Sequence, residues 1–319
     1  MSNSVITSAE LFLLSKFRKF REPKEFETEF WHSVFKKPAG SLIENLYNNG
    51  YLIKADLKAI LEYKCKINDL KKMLQFSDLK QTGKKEELID RLLKNTKQEL
   101  FQDDIKIILY KCSTIGETQV QKYIDEENRK RTENEFFVIN ALKERKFIKA
   151  IDEMVKFEAS QLIPRGMGID WNDYKFEKDN LNILAIIFKC KPKILMDLYD
   201  KELEILRIGA GMMYLYGISV ADKWFPADFK SKSRFDNNTA VRMILFHAQF
   251  LKEKEELISL SKSGSIKLRH ITIISSNDTC EHCKQMKDMQ FELKNLPELP
   301  LEKCTHESGC RCSISPVID

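Results

Sequence analysis

The sequence predicts a mainly α-helical chain that ends in a small, cysteine-rich α+β unit, and three observations carry that prediction. Helix formers dominate, and apolar residues recur at three- and four-residue spacings through most of the chain. Strand-like alternation is scarce until after Gly264. Five of the eight cysteines then fall between Cys280 and Cys312. Composition agrees: 43% apolar and 32% charged residues, with only 11 glycines and 8 prolines, exclude long disordered or collagenous tracts. A length of 319 residues implies two or three domains. Texture divides the chain into an amphipathic, aromatic segment (1–40), a helical platform with a compact helical hairpin (41–97), a helical middle domain (98–264) and a cysteine-rich unit (265–319).

The first segment holds Phe12, Phe17, Phe20, Phe26, Phe30, Trp31 and Phe35, too many rings for an exposed arm. They are expected to pack on the helices that follow, with partner docking as the sharper alternative. Ser41 is placed as a helix cap before Leu42, Ile43 and Leu46. Residues 41–63 then read as a packing platform for the hairpin. Further on, Arg129-Lys130-Arg131 is flanked by acids, so an ion-paired helix face is preferred over a nucleic-acid contact or a localisation signal. Phe136, Phe137, Ile139, Leu142, Phe147, Ile151, Met154 and Phe157 read as a core stripe. Pro164 to Gly168 is the clearest internal break. Gly209 and Gly211 lack the spacing and the preceding strand of a dinucleotide loop, so close helix packing is expected there. A long helix from Asn238 to Leu260, capped by Asn238 or Thr239, would place His247 in the core as a hydrogen-bonded side chain.

Charge concentrates in the hairpin. Residues 64–97 carry ten Lys or Arg against five acids, an excess equal to the +5 of the whole chain. Leu70, Met73 and Leu74 mark a first short helix; Leu88, Ile89, Leu92 and Leu93 mark a second. Lys80-Gln81-Thr82-Gly83 forms the turn, with Thr82 as a cap and Lys84 and Lys85 beside the free amides of the second helix. Cations next to unpaired N–H groups suit a phosphate. A solvated charged face is the plain alternative.

The stretch resembles the SAP domain, a family of helix-extended loop-helix DNA-binding modules, in Leu70, Leu74, Leu79, Gly83-Lys84-Lys85, Leu88 and Arg91-Leu92. That resemblance implies a miniature leucine core and a glycine-lysine turn facing the DNA backbone. It makes Lys80, Gly83, Lys84 and Lys85 the expected contacts, flanked by Arg91. Gln75-Phe76-Ser77-Asp78 departs from the pattern, because many members carry a loop glycine there, and Asp78 would repel phosphate.

In the tail, Ile266 to Ile274 alternates as a strand. Cys280 and Cys283 form a C-x2-C knuckle, and after twenty residues come Cys304, Cys310 and Cys312. Two thiolate pairs at this separation suit a tetrahedral structural Zn2+. Cys280 and Cys283 are the safest pair, Cys304 with Cys310 or Cys312 would complete the set, and His306 and His282 are substitutes. A disulfide, a thiol redox site and a catalytic zinc are weaker readings, the last because four ligands leave no place for water. Cys65, Cys112 and Cys190 read as buried structural thiols. The tail also resembles, distantly, the C-terminal part of phage Mu F-like minor head proteins, in Cys280-x2-Cys283, Pro297, Pro300, His306 and Cys310-Arg311-Cys312. Its extra residue before Cys310 and its added Cys304 depart from that pattern. The resemblance implies a prokaryotic or phage-derived origin.

Together these readings favour a non-enzymatic DNA-binding protein. With seven Lys or Arg against eight acids after Ser265, the tail suits a protein partner or fold closure better than DNA. A nuclease is the first alternative, although no acidic pair with lysine, no H-N-H-like run and no P-loop is found; a head-assembly protein is the second. No run of eighteen apolar residues exists, and the Leu11–Leu14 patch is too short for a signal sequence, so no membrane partner is expected. The expected location is the cytoplasm, associated with a prokaryotic nucleoid, or the nucleus of a eukaryote.

Overall fold

The computed structural model describes residues 6–96, 107–166, 169–174, 178–217 and 220–318. Among these the chain is mainly helical, with a small antiparallel sheet near the C-terminal end. Lys97, the start of the 98–264 segment, and Met167-Gly168 of the internal break lie outside the described residues. The chain divides into two compact units, residues 1–130 and 131–319. No described helix is long and apolar enough to cross a membrane.

In the first unit, α1 (Ser8–Ser15), α2 (Glu29–Phe35) and α3 (Ala39–Asn48) enclose Leu13, Leu14, Phe17, Phe26, Phe35, Ile43 and Leu46. Phe12, Phe17, Phe26, Trp31 and Phe35 pack inward as expected, with Trp31 stacked on Phe35 at 5.4 Å, whereas Phe30 is 53% exposed. Ser41 is not the cap of α3. The helix begins two residues earlier, after Pro38, and the Ser41 hydroxyl donates to the Pro38 carbonyl at 2.8 Å. Proline fixes the backbone angle that starts a helix and has no N–H to satisfy.

A strand pair escaped the sequence reading: β1 (Leu52–Lys54) runs antiparallel to β2 (Tyr110–Cys112). Three residues per strand are too few to show alternation. This ladder brings together the two ends of an insertion whose described residues include α4 (Leu57–Lys64), α5 (Ile67–Phe76) and α6 (Lys85–Asn95). Its miniature core is Leu61, Cys65, Leu70, Leu74, Leu88, Ile89 and Leu92, with Leu79 packed against it. The 41–63 platform is therefore split. Helix α3 belongs to the aromatic core, and α4 alone supports the hairpin.

Helix α7 (Thr114–Lys143) contributes residues to both units. In the second unit it joins α8 (Phe147–Ser160), α9 (Lys178–Lys189), α10 (Asp200–Tyr216) and α11 (Asn237–Lys262) around a single core. The sheet has the order β4-β3-β5, from β3 (Leu268–Ile274), β4 (Gln290–Phe291) and β5 (Ser313–Ile318), with α12 (Glu281–Met286) between β3 and β4. Ile271, Cys283, Leu299, Cys304, Cys310 and Ile314 share the core of the helices, so 265–319 is continuous with the helical middle. Phe136 and Phe137 are not core: they are 60% and 53% exposed, leaving Val138, Ala141 and Leu142 as the inward stripe. The cap of α11 is Asp236, whose carboxylate accepts from Thr239 N–H at 2.8 Å, and not Asn238 or Thr239. Ion pairs of Arg129 with Glu126 and Lys130 with Glu127, both at 2.8 Å, match the expected helix face.

Gly116 sits where α7 meets β1, and a Cβ there would lie 2.1 Å from the Tyr51 carbonyl oxygen. Neither partner is a flexible side chain that could move aside. Gly116→Ala should destabilise the first unit by about 3 kcal/mol. Chemical denaturation followed by amide exchange at residues 52–54 and 110–112 would measure it.

Candidate metal centre and nucleic-acid interface

The cysteine loops are built onto α11. Gly309 adopts φ +80°, and a Cβ there would lie 2.6 Å from the Met243 methyl carbon, so this turn rests directly on the helix. Arg234, just before α11, donates to the carbonyls of Glu302 at 3.2 Å and Cys304 at 2.6 Å. His247 Nδ1 lies 2.9 Å from the Leu299 carbonyl oxygen and the ring is buried, which is the core role expected of it. On the far side Arg311 donates to the Asp278 carbonyl at 2.8 Å and pairs with its carboxylate at 2.9 Å.

These anchors bring all five tail cysteines together in two overlapping groups that could each hold a metal ion. Cys280, Cys283 and Cys304 have their sulfurs within 4.8 Å of one another, and so do Cys283, Cys310 and Cys312. Cys280 Sγ to Cys304 Sγ is 3.7 Å and Cys283 Sγ to Cys310 Sγ is 4.0 Å. Cys283, Cys304 and Cys310 are buried, whereas Cys280 and Cys312 are partly exposed. His306 and His282 fall outside both groups. The His306 ring instead accepts from Ser308 N–H at 3.1 Å and lies 3.1 Å from Arg311.

Backbone amides surround the sulfurs. Cys280 accepts from the N–H groups of Cys283 and Thr305, Cys304 from His306, and Cys310 from Cys312 and, at 3.4 Å, from Leu301. Burial pushes the Cys280 thiol up, but these donors and the neighbouring sulfurs outweigh it and bring its pKa to about 6. Burial and the adjacent Cys310 hold Cys283 well above the ordinary thiol range. Contact with Cys310 and burial do the same to Cys304. Amides aimed at sulfur favour thiolates, and thiolates this close repel one another unless a cation lies between them. Elsewhere, burial pushes Cys112 up to about 12 and raises Cys65, as expected of structural thiols, while Cys190 is only half-buried.

The hairpin residues expected to face DNA divide into two groups. Lys80, Gly83 and Lys84 are exposed on one corner, whereas Lys85 and Arg91 are partly buried. Lys85 Nζ donates to the Glu62 carbonyl at 2.6 Å, tying α6 to α4. Arg91 Nη1 donates to the carbonyls of Lys80 at 2.5 Å and Thr82 at 2.9 Å, so it braces the turn from behind. Thr82 is not the cap of α6. Lys84 holds that position, and its N–H donates to the Glu87 carboxylate at 3.0 Å. A carboxylate thus occupies part of the place the sequence reading left for a phosphate. Asp78, where the loop glycine is missing, takes φ +50°, a left-handed conformation that aspartate tolerates better than most side chains.

No protein-family model, curated protein or solved structure matches this chain. Its class is therefore set by what its described residues contain: a mainly helical protein with a basic helical hairpin in one unit and a cysteine cluster able to hold a metal ion in the other.

If Arg91 braces the turn, Arg91→Ala should speed amide exchange at residues 79–84 and lower the stability of the hairpin by about 1–2 kcal/mol. Arg91→Lys should recover little, because one ammonium cannot reproduce the guanidinium fork on two carbonyls. Exchange measured by mass spectrometry on the three proteins would decide it.

Proposed function

We propose that this chain is a DNA-binding protein that holds the phosphate backbone through its SAP-like hairpin, with a structural Zn2+ in the second unit. The observation that carries the DNA reading is the corner of Lys80, Gly83 and Lys84, exposed on a hairpin whose own leucine core is closed. Because Glu87 already engages the Lys84 amide, the attraction comes from the lysine side chains rather than from the helix terminus. Binding of this kind is driven by counterion release and has little sequence preference of its own. Lys85 and Arg91 serve as positioning residues. The near-neutral second unit would meet a protein partner if it meets one at all.

For the metal, the reading rests on donor chemistry and spacing. Sulfurs 2.3 Å from a tetrahedral zinc are about 3.8 Å apart. The 3.7 Å and 4.0 Å separations bracket that value. The proposed ligand set takes Cys280, Cys283 and Cys304 from one sulfur group and Cys310, 4.0 Å from Cys283, from the other. Cys310 is chosen over Cys312 because it is buried and receives two amide donors.

Two outcomes are expected. Lys80→Ala with Lys84→Ala should weaken binding to duplexes of any sequence and make the salt slope shallower by about one to two units. Titrations of the full chain between low and moderate salt read this directly, and an unchanged slope would reject the corner as the DNA contact. Metal analysis should find about one zinc per chain. Chelation should lower the melting transition of residues 131–319 while that of residues 1–130 stays put. A chain purified without zinc yet equally stable would reject the metal reading.

A further inference from the structure

Zinc needs four sulfurs, and the second unit brings together five. Resting on the zinc reading above, we infer that Cys312 is not a ligand but a peroxide-reactive thiol that releases the metal when oxidised. Its sulfur lies within 4.8 Å of those of Cys283 and Cys310, both assigned to the metal. Unlike those two it is partly exposed. It also lines a cavity of about 190 Å³, together with Gln249, Glu253 and Arg311. That is room for several water-sized molecules, hydrogen peroxide among them. A partly exposed cysteine whose sulfur lies within 4.8 Å of two proposed ligand sulfurs has the placement of a trigger beside its resolving partners.

The chemistry balances with a hydroperoxide as oxidant. The Cys312 thiolate attacks one peroxide oxygen, the S–O bond forms, the O–O bond breaks, and hydroxide (or alkoxide) leaves. Cys312 is then a sulfenic acid, oxidised by two electrons. A thiolate of Cys283 or Cys310 attacks that sulfur, forming the disulfide and expelling a second hydroxide, which takes up a proton as water. The metal is left with three thiolates and dissociates. Thiol reductants reverse the disulfide and restore the site.

The test uses the full zinc-loaded chain, hydrogen peroxide and a chromogenic zinc indicator. Wild-type protein should release its zinc with peroxide, and peptide mapping should find Cys312 joined to Cys283 or Cys310. Cys312→Ser should carry the same one zinc per chain and release it at least tenfold more slowly. Loss of zinc from Cys312→Ser before peroxide is added would make Cys312 a ligand and overturn the inference. Equal release rates in the two proteins would overturn it as well, and so would disulfides in the wild type that leave Cys312 unmodified. Absence of zinc from the wild type at the outset would instead bring down the metal reading beneath it.

Discussion

Contact between the cysteine loops and α11 is the constraint on which the second unit depends. The tail's apolar side chains do not close a core apart from the helices: Ile271, Leu296, Leu299, Leu301 and Ile314 lie in one cluster with them. It gains its core by borrowing one. Gly309 lets its turn lie on Met243, Arg234 holds two carbonyls of the loop before it, and His247 meets the Leu299 carbonyl from within α11. Each contact fixes backbone rather than side chain. That matters for sulfur geometry, because the loop amides, once fixed, donate to Cys280, Cys304 and Cys310, and at Cys280 they help bring the thiol below its ordinary range.

The hairpin follows the opposite logic. Its core is local, built from residues between Leu57 and Ile107, and its ends are closed by the ladder of β1 and β2. Fixing the turn takes a different device in each direction. Glu87 satisfies the amide at the start of α6, and Arg91 satisfies two carbonyls of the turn. Two charged side chains are thereby used inside the hairpin, which leaves Lys80 and Lys84 outward. Charge counting along the sequence overstates such a surface. It counts Arg91 and Lys85 as free cations of the solvent face, whereas Arg91 Nη1 and Lys85 Nζ donate to backbone oxygens of the hairpin.

Much of the architecture was legible because helical periodicity and cysteine spacing are strong local signals. The helical class, the two hairpin helices, the packed glycines 209 and 211, the buried His247 and the gathering of five cysteines could all be read from neighbours in sequence. What escaped depended on distant partners. β1 and β2 are three residues each and nearly sixty apart, so neither carries a period of its own. Caps were misplaced at Ser41, Thr82 and Asn238 for one reason: propensity marks a residue type, while the cap is set by where the chain turns. Pro38, Lys84 and Asp236 hold those positions. Phe136 and Phe137 were assigned to the core on hydrophobicity alone, yet the inward face of α7 is set by the helix phase that buries Val138 and Leu142.

The fate of the fifth cysteine was outside what spacing could decide. Cys310-Arg311-Cys312 offers two thiols two residues apart, and along an extended segment such residues point to the same side. Choice between them falls to what surrounds each sulfur. Cys310 is enclosed, with Leu301 N–H and Cys312 N–H directed at it; its contact with Cys304 lowers the thiol, but Cys312 and burial outweigh that and hold it above the ordinary thiol range, so a thiolate there calls for a cation beside it. Cys312 stands just before β5 and lines the cavity with Phe250 and Arg311. An environment built from fixed dipoles holds an anion for a metal, whereas one open to solvent leaves the thiol free for small oxidants. The division proposed between Cys310 and Cys312, like that between Lys84 and Lys85, rests on which of two near neighbours in sequence the fold encloses.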